Sequence, residues 1–251
     1  MPGAWNSISV CMGLVVVVCA VGPAAAQRSW DDRARVNIGG GAQLGTNRLS
    51  ESISLTKNVE ATPLTADLQK SAVPFFDGGV DFRLVGNLGV GAAVSFLTGK
   101  ADANVSAAIP HPFFFNKART ITGQAQQVLH SETAVHTDAV YLVVSPQVDL
   151  ALYGGASFFR VKQDFVTDVL YGETYPFDTA AFVGARLTRL SNSAVGFNAG
   201  ADVTWKLGPG WGVGGLLRFS RARVPFSTGG IDFGRADAGG VQAGGGLRLR
   251  F

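Results

Sequence analysis

Val195-Gly196-Phe197-Asn198-Ala199-Gly200-Ala201-Asp202-Val203-Thr204-Trp205 decides the fold. Val195, Phe197, Ala199, Ala201, Val203 and Trp205 are apolar, and the residues between them are glycine or polar. Successive side chains of a strand point to opposite faces, so this stretch has one apolar face and one small, polar face. The pattern recurs along the chain. Leu88, Val90, Ala92, Val94 and Phe96 alternate with Gly89, Gly91, Ala93 and Ser95, and Val148, Leu150, Leu152 and Phe158 with Asp149, Ala151, Tyr153 and Ser157. Trp211, Val213, Leu217 and Phe219 alternate with Gly212, Gly214, Leu216 and Arg218. Val241, Ala243, Leu247, Leu249 and Phe251 alternate with Gln242, Gly244, Arg248 and Arg250. Each segment runs about 10–13 residues, long for a soluble strand and suited to a tilted strand that crosses a membrane.

Period two also fits a soluble sandwich, so further features must separate the two. The connections alternate in length. Val85-Gly86-Asn87, Ser145-Pro146-Gln147 and Leu207-Gly208-Pro209-Gly210 are tight, whereas those at about 46–74, 99–131, 161–193 and 224–238 are long. Short turns at one end and long loops at the other mark an outer-membrane barrel. Aromatic residues stand at the ends of the apolar faces: Trp205, Trp211 and Phe251 at one level, Phe76, Phe96, Phe158 and Phe219 at the other. Two such levels form the girdles of a membrane-spanning protein. Strands at about 35–45, 75–85, 88–98, 132–144, 148–160, 194–206, 211–223 and 240–251 make eight, which places both chain ends on the same side. Residues 178–190 read as a hairpin extension of the third long loop, and a ten-strand count is the alternative.

Composition narrows the class. The chain has 251 residues, 47% hydrophobic, with 33 glycines and a formal net charge of +3. This much apolar residue and this little net charge exclude a disordered chain, and the glycines lack the period of three that collagen needs. Residues 1–26 read as a signal peptide: an apolar run from Ile8 to Val21, then Ala24-x-Ala26, with the mature chain expected to begin at Gln27. Both cysteines, Cys11 and Cys19, fall inside that segment. Thiolate catalysis and thiolate metal sites are therefore not expected, and scattered basic residues leave no footprint for nucleic acid.

With the signal segment, the alternation, the loop asymmetry and the C-terminal Leu247-x-Leu249-x-Phe251, the chain resembles the small outer-membrane β-barrel proteins of Gram-negative bacteria, of the OmpA transmembrane-domain, OmpX and OmpW type. The resemblance spans 27–251 and implies an eight-stranded antiparallel transmembrane β-barrel in the outer membrane, monomeric and surrounded by outer-membrane lipids. It implies that Leu247, Leu249 and Phe251 form the signal read by the barrel-assembly machinery. OmpA carries a periplasmic peptidoglycan-binding domain after its barrel. This chain stops at the last strand, so no cell-wall tether is expected.

An eight-stranded barrel has room inside for side chains or one small ligand. The long inward candidates are Asp77, Asp81, Arg83, Asp138, Asp149, Asp202, Arg218, Arg248 and Arg250. Opposite charges at similar depth predict an ion-pair plug formed by Asp81, Arg83, Asp149, Asp202 and Arg248 in one half, with Asp138 and Arg218 near mid-height. Phe113-Phe114-Phe115, between Pro112 and Asn116, read as a loop cap folded on the rim, with insertion into the outer leaflet or a surface for an external partner as the alternatives. His130-Ser131-Glu132 attracts notice as a hydrolase triplet, but in a strand Ser131 faces away from the other two, so no triad forms. Three spread histidines predict no metal site, and no cofactor is expected. The leading expectation is a non-enzymatic integral outer-membrane protein with a structural or surface-interaction role. The alternatives are a narrow channel for small or hydrophobic solutes and a lipid-modifying enzyme.

Overall fold

The computed structural model describes residues 30–44, 48–69, 72–228 and 231–251. The expected signal peptide lies outside them. The strands are β1 (Ala34–Leu44), β2 (Arg48–Lys57), β3 (Glu60–Gln69), β4 (Val73–Val85), β5 (Leu88–Pro110), β6 (Ala118–Val144), β7 (Val148–Glu173), β8 (Ala180–Lys206), β9 (Trp211–Thr228) and β10 (Ile231–Arg250).

Eight of them close a ring of antiparallel ladders in the order β1-β4-β5-β6-β7-β8-β9-β10 and back to β1. The other two, β2 and β3, form a hairpin that pairs with β5 only at Leu64–Leu68 against Ala107–Ala103. The fold is thus an all-β, eight-stranded antiparallel barrel, and the sheet reaches ten strands because β3 pairs with β5 beyond the end of β4, with β2 beside it. The tight turns fall at 85–88, 144–148 and 206–211, at one end of the barrel. Phe251 N donates to Ala34 O at 2.9 Å, and Ala34 N to Phe251 O at 3.1 Å, so the two ends of the ring meet there.

The closing seam is built from glycine. Gly39, Gly40 and Gly41 stand opposite Gly246, Gly245 and Gly244. A Cβ on Gly41 would lie 2.1 Å from Ala243 O, and one on Gly246 2.1 Å from Ile38 O. No larger residue fits either position without moving the strands apart.

The long connections differ from their sequence reading. Those at 99–131, 161–193 and 224–238 are continuations of the ladders, which run to Pro110↔Ala118, Glu173↔Ala180 and Thr228↔Ile231. The segment 178–190 is the expected extension, as the first part of β8. The polarity of the two faces inverts part-way up. On β9, Trp211, Val213, Leu217 and Phe219 are exposed, and the lumen side holds Gly212, Gly214, Leu216, Arg218 and Ser220. Past Phe219 the exposed side carries Arg221 and Arg223, and the lumen side Ala222, Val224 and Phe226. The same exchange occurs on β7, where exposed Arg160 and Lys162 flank buried Val161. It also occurs on β5, where exposed Asp102 and Asn104 flank buried Ala103 and Val105. A wall that is apolar outside and polar inside suits lipid; the reverse suits water. The inversion therefore divides the barrel into a lipid-facing half and a water-facing half.

Candidate functional site: the filled lumen and the aromatic apex

Four polar layers occupy the lumen between the tight turns and the inversion. Nearest the tight turns, Asp202 on β8 accepts from Arg248 on β10, with Nε 3.0 Å from each carboxylate oxygen, and forms an ion pair with Arg35 on β1 at 3.4 Å. Thr204 donates to the same carboxylate at 3.2 Å. Beside this layer, Asp149 pairs with Lys206 at 2.6 Å. At mid-height Arg218 pairs with Asp77 at 2.6 Å and lies over the Tyr153 ring, 5.5 Å from its centroid. Gln242 bridges this layer to β1 by donating to Gln43 Oε1 at 2.9 Å. Higher still, the His136 ring lies between two hydroxyls, Ser95 Oγ at 3.0 Å and Ser157 Oγ at 2.7 Å. Above it, His130 contacts Glu132 through Nε2 and Gln163 through Nδ1. The second oxygen of Glu132 accepts from Gly239 N at 2.9 Å.

The plug predicted from sequence needs three corrections. Arg218 selects Asp77 rather than Asp138, and Asp138 Oδ1 is buried with no hydrogen-bond partner. Arg83 is exposed at the tight-turn rim, where it donates to Trp30 O and takes no part in the network. Asp81 faces Arg35 across the β1–β4 ladder, yet the Arg35 side chain reaches to Asp202 instead. The residues that complete the layers, Arg35, Asp77 and Lys206, all lie on the predicted inward face or at its end. Ladder register rather than residue type selects among them.

Above the polar layers the water-facing half is filled by an apolar core that sequence reading missed. It includes Leu64, Val105, Ile109, Val128, Val161, Phe165, Val224 and Phe226. Phe165 packs on Phe226 and Phe233, each ring centroid at 5.0 Å. The signal was present in the sequence: the apolar residues change parity past Phe96, Phe158 and Phe219. Glu51 of β2 is buried against this core, and burial pushes its carboxyl up to about 7.

The girdle residues Phe76, Phe96, Phe158, Trp205, Trp211, Phe219 and Phe251 all face away from the lumen and are exposed. Leu247 is exposed on the same face, and Leu249 is half-buried. The expected aromatic cap is not a cap. Phe113, Phe114 and Phe115 are 70%, 59% and 75% exposed, in the β5–β6 turn at the far end of the barrel. The reason is that the strand extensions carry this turn away from the rim, and the apolar core already fills the space beneath it. Phe113 packs edge-on against Phe177 of the β7–β8 turn at 5.5 Å, and Tyr175 packs on Phe177 at 6.0 Å. Lys117 pairs with Asp178 at 2.7 Å, which holds the Asp178 carboxyl below its usual range, and lies over the Phe114 ring. Asn116 N donates to Glu60 at the β2–β3 turn. Three turns are thereby tied into one apex.

Ser131 Oγ donates to Leu97 O, while the side chains of His130 and Glu132 meet in the lumen, so the triplet is not a triad. Among the described residues no group of three or more His, Cys, Asp and Glu stands close enough to hold a metal ion.

No family model matches the chain, and no curated protein matches it. Solved structures resemble it in fold. Neisserial surface protein A (NspA) is 11% identical, covers 87% of this chain and 97% of its own, and has a TM-score of 0.43. The attachment invasion locus protein Ail of Yersinia pestis is 10% identical, with 87% and 99% covered and a TM-score of 0.37. The outer membrane protease OmpT of Escherichia coli is 9% identical, with 89% and 98% covered and a TM-score of 0.46.

Proposed function

We propose that the chain is a non-enzymatic integral outer-membrane barrel, closed to solutes, whose role is to hold a contact surface outside the cell. The tight turns face the periplasm and the long hairpins face outward. The observation that carries this reading is the exposed aromatic apex on a solidly filled stalk. From Thr133, which pairs with the girdle residue Phe96, β6 runs outward to Ala118. That is about 50 Å of strand at a rise of about 3.3 Å per residue, and about 35–40 Å of height at the usual tilt. Phe113, Phe114 and Phe115 therefore stand too far out to enter the membrane that holds the barrel. Exposed aromatics cost free energy in water unless a partner covers them, and they are favoured at interfaces.

The test compares bacteria that display the wild-type chain with bacteria that display the triple variant Phe113→Ser, Phe114→Ser, Phe115→Ser. Attachment to protein-coated and glycan-coated surfaces is measured at matched surface levels. Loss of attachment in the variant supports the reading, and equal attachment by both removes it.

A further inference from the structure

One buried side chain sets the arrangement of the aromatic apex. His111 is 3% exposed. Its backbone N donates to Lys117 O at 2.9 Å, which closes the β5–β6 turn, and its ring Nδ1 accepts from Phe113 N at 3.1 Å. The ring packs on Phe114 with centroids 4.8 Å apart and lies 6.3 Å from the Phe113 ring. His111 thus fixes the direction in which the three phenylalanines leave the turn.

A backbone N–H only donates, so Nδ1 must offer a lone pair, and the neutral ring then carries its proton on Nε2. Nε2 is buried and has no hydrogen-bond partner among the described residues. The closed turn therefore accommodates the neutral ring alone. A proton added at Nδ1 would point at the Phe113 N–H, and the cation would be buried with no acceptor at either nitrogen. The charged groups around the ring are already engaged. Asp178 of the β7–β8 turn favours a positive charge at His111, but Lys117 holds its carboxylate at 2.7 Å. Lys117 and Arg119 oppose such a charge. Arg119 pairs with Glu173 of β7 at 2.6 Å and donates to Pro110 O, and Glu60 of the β2–β3 turn accepts from Asn116 N.

The contact beside the ring is strained. Phe177, on which Phe113 packs edge-on, takes φ 69°. A bulky residue keeps a left-handed backbone only where its surroundings over-determine it. Release of Phe113 removes one of those constraints.

We propose that His111 is an acid-operated latch on the apex: the neutral ring holds Phe113, Phe114 and Phe115 in the contact arrangement, and its protonation releases the turn. The consequence rests on the contact-surface reading: the contact is made near neutral pH and let go in acid. Histidine ordinarily changes charge between about pH 5 and pH 8. The closed turn binds one proton fewer than the open turn, so it is favoured above that range and lost as pH falls through it.

The test is hydrogen exchange of residues 111–117 in the refolded full barrel, read as protection corrected for the intrinsic rate, at about pH 8 and about pH 5. The wild type should lose about tenfold protection at Phe113 in acid, the effect of one buried hydrogen bond. His111→Asn should be protected equally at both values, because an Asn side chain accepts from the N–H two residues on and does not titrate. His111→Ala should be unprotected at both. Wild-type protection that does not change with pH overturns the proposal. So does an equal acid loss in His111→Asn, which would assign the change to another group. Glu51 acts in the opposite direction, since its raised carboxyl holds the β2–β3 hairpin more firmly in acid. The exchange measurement needs no attachment partner. Its failure leaves the contact-surface reading standing, whereas equal attachment by the triple serine variant removes that reading and leaves the exchange result untouched.

Discussion

Arg248 reaches past one whole strand to grip Asp202: its Nε lies 3.0 Å from both carboxylate oxygens, although β9 stands between β10 and β8. Gly214 of β9 makes this reach available. A Cβ there would lie 3.0 Å from Arg248 Nε. The pair and its intervening glycine are one device, and Arg35 completes it from β1.

Asp202→Ala should therefore leave two buried guanidinium groups without a carboxylate. Breaking a buried pair in this way costs about 3–5 kcal/mol. Urea titration of the refolded barrel in lipid vesicles measures it. A loss below about 1 kcal/mol would show that water or Asp81 takes over the role.

Arg218→Ala should remain electrically silent in planar bilayers. It opens a void at mid-height, but the apolar core from Leu64 to Phe226 still fills the lumen above it. Steady single-channel current through this variant would mean that the core does not seal the outer half.

Leu152 faces outward midway between the two girdles and is 46% exposed. Leu152→Arg should destabilise the barrel in vesicles by about 2–4 kcal/mol, the cost of a cation at the mid-plane of the lipid face. By contrast, Arg160→Lys at an exposed position beyond the inversion keeps a cation in water and should shift the urea midpoint very little.

Docking of the β2–β3 hairpin should depend on pH through Glu51. Its folded value, about 7, lies above the ordinary carboxyl value of 4.5, so the folded state holds the proton more tightly than the unfolded chain. The stabilisation is complete below about 4.5 and is lost as pH rises through 7. The whole change is about 3 kcal/mol, at 1.36 kcal/mol per unit. Hydrogen-exchange protection of β2 and β3 should fall between pH 4.5 and pH 7.5, and Glu51→Gln should flatten the profile. An unchanged profile in Glu51→Gln would assign the pH dependence to another group.

The local pattern was sufficient for the architecture because period two, girdle aromatics and turn length are properties of short stretches. Val195 to Trp205 and Trp211 to Phe219 declare their two faces without reference to any other strand. The eight ring strands and the inward side of Arg218, Asp202 and Arg248 follow from that alternation. The parity change past Phe219 was also written in the residues, although it gains meaning only once the ladders are seen to continue. Ion-pair partners are different. Asp77 and Asp138 both face the lumen, and register across several strands determines which of them Arg218 meets. The apex likewise joins turns that are far apart in sequence, with Phe113 against Phe177 and Asn116 against Glu60. The sequence by itself determined the strands, their faces and the barrel class, since these depend on near neighbours. Only the tertiary structure decided the pairing of buried charges and the apolar filling of the outer half, since each depends on distances between strands that alternation does not encode.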